Sequence, residues 1–203
     1  QRPAGADKLA IQPYPQHLIE TFEWRDQTVT LRPIRPEDEA QHLEFLSRID
    51  PQDIRMRILY SRRSIEHSEL ARLTQIDYAR EMAFIATRAL PDGGQETLGA
   101  VRASVDPDNH TAEFGVLVRS DLKGSGLGRR LMDKLIAHLK ARGTQEVVGT
   151  VLRANTGMLE LARKLGFVIS DHPGEPQEQE TRYIPPHPPP RCRTTSSPHP
   201  PPP

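Results

Sequence analysis

A glycine-rich loop, Lys123-Gly124-Ser125-Gly126-Leu127-Gly128, is the segment best suited to chemistry, and it lies between an apolar strand pattern and an amphipathic helix pattern. The first N–H groups of a helix lack intrahelical acceptors, the helix dipole adds partial positive charge, and glycines allow close approach to the backbone. These features suit a phosphate or pyrophosphate, with Lys123, Arg129 and Arg130 adding charge. A tight turn without a ligand remains the alternative.

Two common nucleotide-binding motifs do not fit this loop. A Walker A motif would end in Gly-Lys-Ser/Thr, which the loop lacks. Gly124, Gly126 and Gly128 come close to the dinucleotide pattern Gly-x-Gly-x-x-Gly, but the strands before them predict a meander instead of a βαβ unit.

The elements around the loop are predicted from hydrophobic period and turn residues. One face of the strand Thr111–Val118 carries Ala112, Phe114, Val116 and Val118, and the other carries Glu113, Gly115 and Leu117. The other predicted strands are residues 28–32, 81–88, 96–105, 146–152 and one starting at Phe167. One predicted helix starts at Pro36 and has an apolar stripe of Leu43, Phe45, Leu46 and Ile49. Four further helices are predicted over residues 53–60, 66–74, 127–142 and 156–165. This order predicts one mixed α/β sheet with helices on both faces.

Composition limits the function classes. The 203 residues allow one domain with a buried core, and 27 basic against 27 acidic residues give no general attraction to nucleic acid or an anionic membrane. No apolar run is long enough to cross a bilayer. The single cysteine, Cys192, excludes an internal disulfide and favours a reducing, cytoplasmic environment. The start at Gln1, without an initiator Met or a signal-peptide pattern, indicates a piece of a longer chain or a processed product.

The two ends differ from the middle. Half of the 20 prolines lie in residues 185–203, which we interpret as a disordered proline-rich tail. Its His187, Cys192 and His199 match no standard metal-site spacing, so we expect no metal. We assign residues 1–24 to a linker or extension and residues 25–184 to the domain.

Two motifs, in this order, resemble the GNAT superfamily of N-acetyltransferases. Residues 123–128 match its acyl-CoA loop, Gln/Arg-x-x-Gly-x-Gly/Ala, with Lys123 in the first position. Asn155, followed by a helix that closes with Gly166-Phe167, matches a later element. Leu31–Asp38 is similar to the first strand and helix of that fold. The resemblance implies a GNAT fold with a central, mostly antiparallel sheet, and acetyl-CoA as co-substrate.

Three segments are similar to the acetyltransferase domain of bacterial Pat-type protein lysine acetyltransferases: Leu31–Asp38, Leu73–Tyr78 and Val118–Gly124. In those proteins the domain often follows a large acyl-CoA-synthetase-like region, which implies a larger parent chain. The resemblance covers roughly residues 9–183. It implies that the acceptors are lysine side chains of proteins, such as acyl-CoA synthetases.

The resemblance also implies roles for individual residues. The strand segment Val116, Leu117 and Val118 would lie along pantetheine, with Val116 and Val118 as backbone partners and an N–H near Val118 polarising the thioester carbonyl. The amides of Lys123, Gly124, Ser125, Gly126, Leu127 and Gly128 would hold the pyrophosphate, with Arg129 adding charge.

Three further positions bear on catalysis. Glu113 is the implied general base, since an ammonium with a pKa near 10.4 cannot attack; an exposed strand carboxylate is the alternative. Asn155 would cap a helix, contact pantetheine, or do both. Many members carry a Tyr general acid seven residues after this Asn, where this chain has Ala162. Tyr60 and Tyr78 are interpreted as packing or groove residues.

Three functions remain open from the sequence. A protein lysine acetyltransferase needs an open acceptor groove, whereas a small-molecule amine acetyltransferase needs a closed, charge-complementary pocket. A non-catalytic acyl-CoA-sensing module of a larger protein is the third, and the presence of Glu113 argues against it.

Overall fold

The structure is a computed structural model that describes residues 13–55 and 73–186. Two expected helices lie partly outside these ranges: most of the helix over residues 66–74 and the end of the helix over residues 53–60. Tyr60 and the proline-rich tail from residue 187 also lie outside them. Eight strands form one sheet in the order β1-β2-β3-β4-β5-β6-β8-β7. They are β1 Glu20–Trp24, β2 Gln27–Pro33, β3 Glu81–Ala89, β4 Gln95–Val105, β5 Thr111–Val118, β6 Glu146–Leu152, β7 Val168–Asp171 and β8 Glu178–Tyr183.

The α-helices delimited within the described ranges are α1 Glu39–Ser47, α2 Pro51–Arg55, α3 Leu127–Ala141 and α4 Thr156–Leu165, and residues 73–74 are also helical. All neighbouring strands are antiparallel except β5 and β6, which run parallel. This mixed sheet with helices confirms the expected fold class. None of these helices is long and apolar enough to cross a membrane.

The sheet separates two hydrophobic cores. The larger contains α3 and α4 against the face that carries Ala112, Phe114 and Val116, and the smaller contains α1 against Leu117 and its neighbours. The predicted stripe of α3 is buried at Leu127, Leu131, Leu135 and Leu139. The two faces of β5 therefore alternate as its sequence predicts.

The stripe of α1 differs from its prediction. Phe45, Leu46 and Ile49 are buried, but Leu43 is 47% exposed and His42, at 2%, takes its place against the sheet. The orientation of α1 follows from the turn before it, where Arg32 makes a buried, bidentate ion pair with Asp38, both bonds being 2.7 Å. Because Asp38 also accepts from Arg35 N at 2.7 Å, this carboxylate fixes how the chain enters α1.

The expected boundary at residue 25 falls inside a β-hairpin. Residues 20–24, assigned to the extension, form β1 and pair with β2 from Glu20↔Leu31 to Trp24↔Gln27. Arg25 and Asp26 connect the strands with φ angles of 48° and 58°, as in a type I′ turn. Such turns usually contain Asn-Gly or Asp-Gly, so the sequence Arg-Asp gave no hairpin signal.

Strand β8 was also not predicted, because its sequence Glu-Gln-Glu-Thr-Arg-Tyr is largely polar. Backbone pairing with β6 and β7 on its two sides stabilises it. Thr181 is buried and donates its hydroxyl to Gly149 O at 2.8 Å. Pairing partners, and not side-chain alternation, determine this strand.

Candidate active site

The two parallel strands separate near the middle of the sheet. Their pairing covers only Thr111↔Glu146 through Glu113↔Val148. Beyond that point β6 continues along β8, while β5 stays paired with β4. The ring of Phe114 lies against Gly149, where an added Cβ would fall 2.4 Å from Phe114 Cε1. The separation leaves one edge of residues 114–118 without a strand partner.

The directions of the backbone N–H and C=O groups show which residues of β5 face this edge. Arg119 donates its N–H to Leu98 O at 2.9 Å, toward β4. Since alternate residues of a strand direct their polar backbone groups to opposite edges, residue 117 also faces β4, and Val116 and Val118 face the unpaired edge. Leu117 is 3% exposed, with its side chain in the smaller core. Of the three expected pantetheine residues, the geometry offers the backbone of Val116 and Val118 but not that of Leu117.

The glycine loop continues from this edge. Gly124 and Gly126 have φ angles of 70° and 87°, in the region that favours glycine, and Gly126 is the N-cap of α3. The first helical bond runs from Arg130 N to Gly126 O. Within the described part of the chain, the N–H groups of residues 124–129 donate to no backbone carbonyl. A Cβ added at Gly124 or Gly126 would meet nothing within 4 Å, so the loop is open to a ligand there.

Gly128 brings three elements together. A Cβ at this position would lie 3.4 Å from Leu161 on α4 and 3.8 Å from Val118 on β5. Asn155 starts α4 and accepts from Met158 N through its side chain at 3.2 Å, so the capping role is confirmed. Because the cap engages Oδ1, the side-chain amide N–H groups on Nδ2 remain to donate to pantetheine. The end of β5, the start of α3 and the middle of α4 thus meet at Gly128.

The three expected cations are already engaged by protein groups. Lys123 forms an ion pair with Asp53 of α2, which also accepts from Ser120 Oγ at 2.7 Å. Arg129 lies 3.7 Å from Asp133, and the Arg130 guanidinium lies 4.5 Å from the centre of the Phe22 ring. In this structure these three side chains therefore contact protein groups, whereas the backbone N–H groups of residues 124–129 do not.

Trp24 contacts the glycine loop, and the sequence analysis did not predict this contact. This single tryptophan is 9% exposed and donates Nε1–H to Ser125 O at 3.0 Å, within the glycine loop. The alternation Thr21-Phe22-Glu23-Trp24 was the available signal for a strand. The contact with the loop spans 101 positions, and no local pattern predicts it.

Glu113 lies where the strands separate. It is the last residue of β5 that pairs with β6, and its side chain is exposed on the face opposite α3 and α4. On this face Thr111 donates to Glu146 Oε1 at 2.8 Å, and Arg182 pairs with Glu146 at 2.8 Å and with Glu180 at 2.7 Å. These carboxylates raise the pKa of Arg182. Among the described residues, Glu113 is thus accessible to an acceptor amine from the side away from α3 and α4.

No phenol occupies the family's usual acid position. Ala162 is fully buried in the larger core. Tyr78 donates its hydroxyl to Ile34 O at 2.8 Å and packs edge-on against Tyr14, while burial raises its pKa to about 12. Tyr78 is therefore a packing residue. Among the described residues, no cluster of three His, Cys, Asp or Glu side chains could hold a metal ion.

Comparisons with known proteins agree with this geometry. The sequence model of the Acetyltransferase (GNAT) family matches residues 50–167. An acetyltransferase of Pseudomonas aeruginosa is 29% identical over 159 residues, which cover 78% of this chain and 84% of that protein. The L-methionine sulfoximine/L-methionine sulfone acetyltransferase of the same organism is 32% identical over 109 residues, covering 48% of this chain and 63% of that protein.

The solved structure of the GNAT domain of S. lividans PAT has a TM-score of 0.72 to this chain at 22% identity, covering 85% of this chain and 99% of that domain. At this identity the likeness shows the fold. Together with the match over residues 50–167, it confirms the resemblance inferred from the glycine loop. The chain therefore belongs to the GNAT acetyltransferase family, and it is an acyltransferase with acetyl-CoA as donor.

Proposed function

We propose that this chain acetylates lysine side chains of protein substrates, such as acyl-CoA synthetases, by direct attack of the amine on acetyl-CoA. One observation carries the proposal: the unpartnered amides of residues 124–129 adjoin a free strand edge on the same strand as the exposed Glu113. A diphosphate, an extended pantetheine arm and a base would thereby share one region.

Binding of the co-substrate falls to the backbone. The amides of residues 124–129 donate to the diphosphate at the positive end of α3, and those of Val116 and Val118 pair with the pantetheine arm as a strand would. The bound acetyl-CoA supplies an acetyl group activated as a thioester. The backbone N–H of Val118 faces the edge along which this arm lies and donates to the developing oxyanion.

Glu113 acts on the acceptor amine. Deprotonating a lysine ammonium at pH 7 costs about 4–5 kcal/mol, so a base at the site accelerates the reaction. A carboxylate oxygen of Glu113 takes this proton, directly or through one water molecule. Since Ala162 supplies no acid, the leaving thiolate departs without a protein proton donor at that position.

Among the residues that the structure describes, the surroundings of Glu113 are open, which favours a polypeptide acceptor. Val148, Glu180 and Arg182, on the same face, are exposed or half-buried. A lysine side chain projecting from a protein surface could reach Glu113 over this face. A closed pocket around the acceptor would instead favour a free amine.

A second candidate is acetylation of a small-molecule amine. It is supported by the relative that is 32% identical, whose name states that it acetylates L-methionine sulfoximine and L-methionine sulfone. A third, a non-catalytic acyl-CoA sensor, would bind the thioester without turnover.

One experiment separates these candidates. The chain is incubated with labelled acetyl-CoA and either a lysate containing acyl-CoA synthetases or a panel of amines and amino acids; CoA release and acetylated lysines are measured. We expect labelled lysines in proteins. Glu160→Gln serves as a charge-matched control for Glu113→Gln, because Glu160 is exposed on α4 and paired with Lys164. Turnover confined to free amines would favour the second candidate, and tight binding without turnover the third.

A further inference from the structure

We propose that Trp24 is a positioning residue that orients the glycine loop for the diphosphate of acetyl-CoA. The inference rests on the proposed acyl-CoA site and adds to it a residue of the N-terminal hairpin. Trp24 lies about a hundred positions before the loop, and its indole N–H donates to Ser125 O at 3.0 Å.

The hydrogen bond sets the direction of a neighbouring amide. The peptide group that joins Ser125 to Gly126 is planar and trans, so its C=O and N–H point in opposite directions. Because the indole holds Ser125 O on the side of the larger core, Gly126 N–H points away from that core. Trp24 thereby fixes the orientation of an amide that donates to no backbone carbonyl in the described chain.

The loop needs such a fixed point. Gly124 and Gly126, on either side of Ser125, both have positive φ angles, and glycine gives the backbone wide conformational freedom. A loop that samples several conformations binds its ligand more weakly, since ordering it has an entropic cost. A partly buried hydrogen bond to the residue between the two glycines reduces that freedom before the ligand arrives.

Trp24 is itself held by its strand. Glu20, at the start of β1, pairs with Lys134 of α3 at 3.0 Å, and the ring of Phe22 lies 4.5 Å from the Arg130 guanidinium. The Arg25 guanidinium covers the indole at 4.7 Å. Strand β1 thus contacts α3 at two positions and the loop before it at a third. Glu20 touches α3 without touching the loop, which makes it a matched control.

The test compares the variants Trp24→Phe and Glu20→Gln in the full chain. Affinity for acetyl-CoA and for S-acetylpantetheine, which lacks the diphosphate, is measured by isothermal titration. The KM for acetyl-CoA and kcat are measured with a saturating concentration of an acceptor identified in the labelling experiment above. Because this is the only tryptophan, benzothienylalanine can replace it as a second variant that keeps the ring shape and exchanges N–H for sulfur.

We expect loss of the indole N–H to weaken acetyl-CoA binding roughly three- to tenfold, the range of one neutral hydrogen bond. KM should rise while kcat stays unchanged, and the affinity for S-acetylpantetheine should not change. Glu20→Gln should leave both affinities unchanged. Equal weakening toward both ligands, or no weakening, would show that Trp24 only packs. If the unaltered chain bound no acetyl-CoA, the proposed function itself would fail.

Discussion

At the scale of single residues, the side chains of the site divide into those that act on the acceptor and those that shape the donor site. Glu113 is exposed at the last paired position of β5 and β6, whereas Lys123, Arg129 and Arg130 are each engaged by protein groups. This division implies that donor binding and proton removal can be separated by mutation.

The variant Glu113→Gln should keep its affinity for acetyl-CoA. Its turnover near neutral pH should fall by about 10²-fold or more, which is the usual contribution of a general base. The loss should shrink at high pH, where more of the acceptor amine is already deprotonated. Steady-state rates from pH 6 to pH 10, with titration of acetyl-CoA, measure both effects. Rates equal to those of the unaltered chain across this range would remove Glu113 from the mechanism.

At the scale of elements, the site depends on a loop that enters a helix and on two strands that separate. Gly126 has a φ angle of 87° at the start of α3, and Gly149 lies against the Phe114 ring beside the point of separation. Gly126 leaves the backbone amides of the loop exposed, and Gly149 makes room for the Phe114 ring between β5 and β6.

The variant Gly126→Glu should abolish acetyl-CoA binding, because a carboxylate would project where the diphosphate binds and the positive φ angle disfavours a side chain. Gly93→Glu is a matched control. Its φ angle of 86° is almost the same, and a Cβ there also meets nothing within 4 Å, but it lies in the β3–β4 turn. Titration calorimetry should show binding by the control only. Equal binding by both variants would contradict the loop assignment.

The variant Gly149→Ala should destabilise the fold by about 1–3 kcal/mol, the usual cost of overpacking, because the new Cβ would fall 2.4 Å from Phe114 Cε1. Gly157→Ala on α4, where a Cβ meets nothing within 4 Å, should be neutral or stabilising. Urea unfolding measures both. An unchanged midpoint for Gly149→Ala would mean that β5 can shift without cost.

The sequence predicted those helices and strands whose hydrophobic periodicity and terminating residues can be identified within the segment itself. Strands β5 and β6 and helix α4 have the predicted bounds, because alternation marks the strands and Asn155 and Gly166 mark the helix ends. β1 and β8 were missed, since one follows a turn without glycine and the other depends on neighbouring strands. The loop was likewise predictable, but Trp24 and Asp53 reach it from distant segments that only the folded chain brings together.

At the scale of the whole molecule, two histidines, the buried His42 and the half-buried His138, link stability to pH. Burial lowers the pKa of His42 to about 4, and nearby Arg102 acts in the same direction while Asp38 opposes it. Burial also lowers the pKa of His138 to about 4, with smaller effects of Arg142 and Lys134. A base whose pKa is lower in the folded state binds more protons when unfolded. The destabilisation caused by these two histidines is therefore small above about pH 6.5 and grows as the pH drops toward 4.

Between pH 7 and pH 5, His42 alone should reduce the free energy of unfolding by about 2 kcal/mol. In the variant His42→Leu the free energy of unfolding should therefore depend less on pH. His110 has a side chain that is 53% exposed, so His110→Gln should show the same pH dependence as the unaltered chain. Urea unfolding at pH 7 and pH 5 gives the comparison. Identical slopes for all three proteins would mean that His42 is not buried in its neutral form.

The central claim is that backbone amides of one strand edge and one helix start bind acetyl-CoA. Residue-resolved amide hydrogen exchange, with and without acetyl-CoA, tests it most directly. We predict slower exchange at residues 124–129 and at Val116 and Val118, with no comparable change at residue 117, whose N–H already faces β4. Binding of acetyl-CoA without protection at the loop and the strand edge would contradict the account.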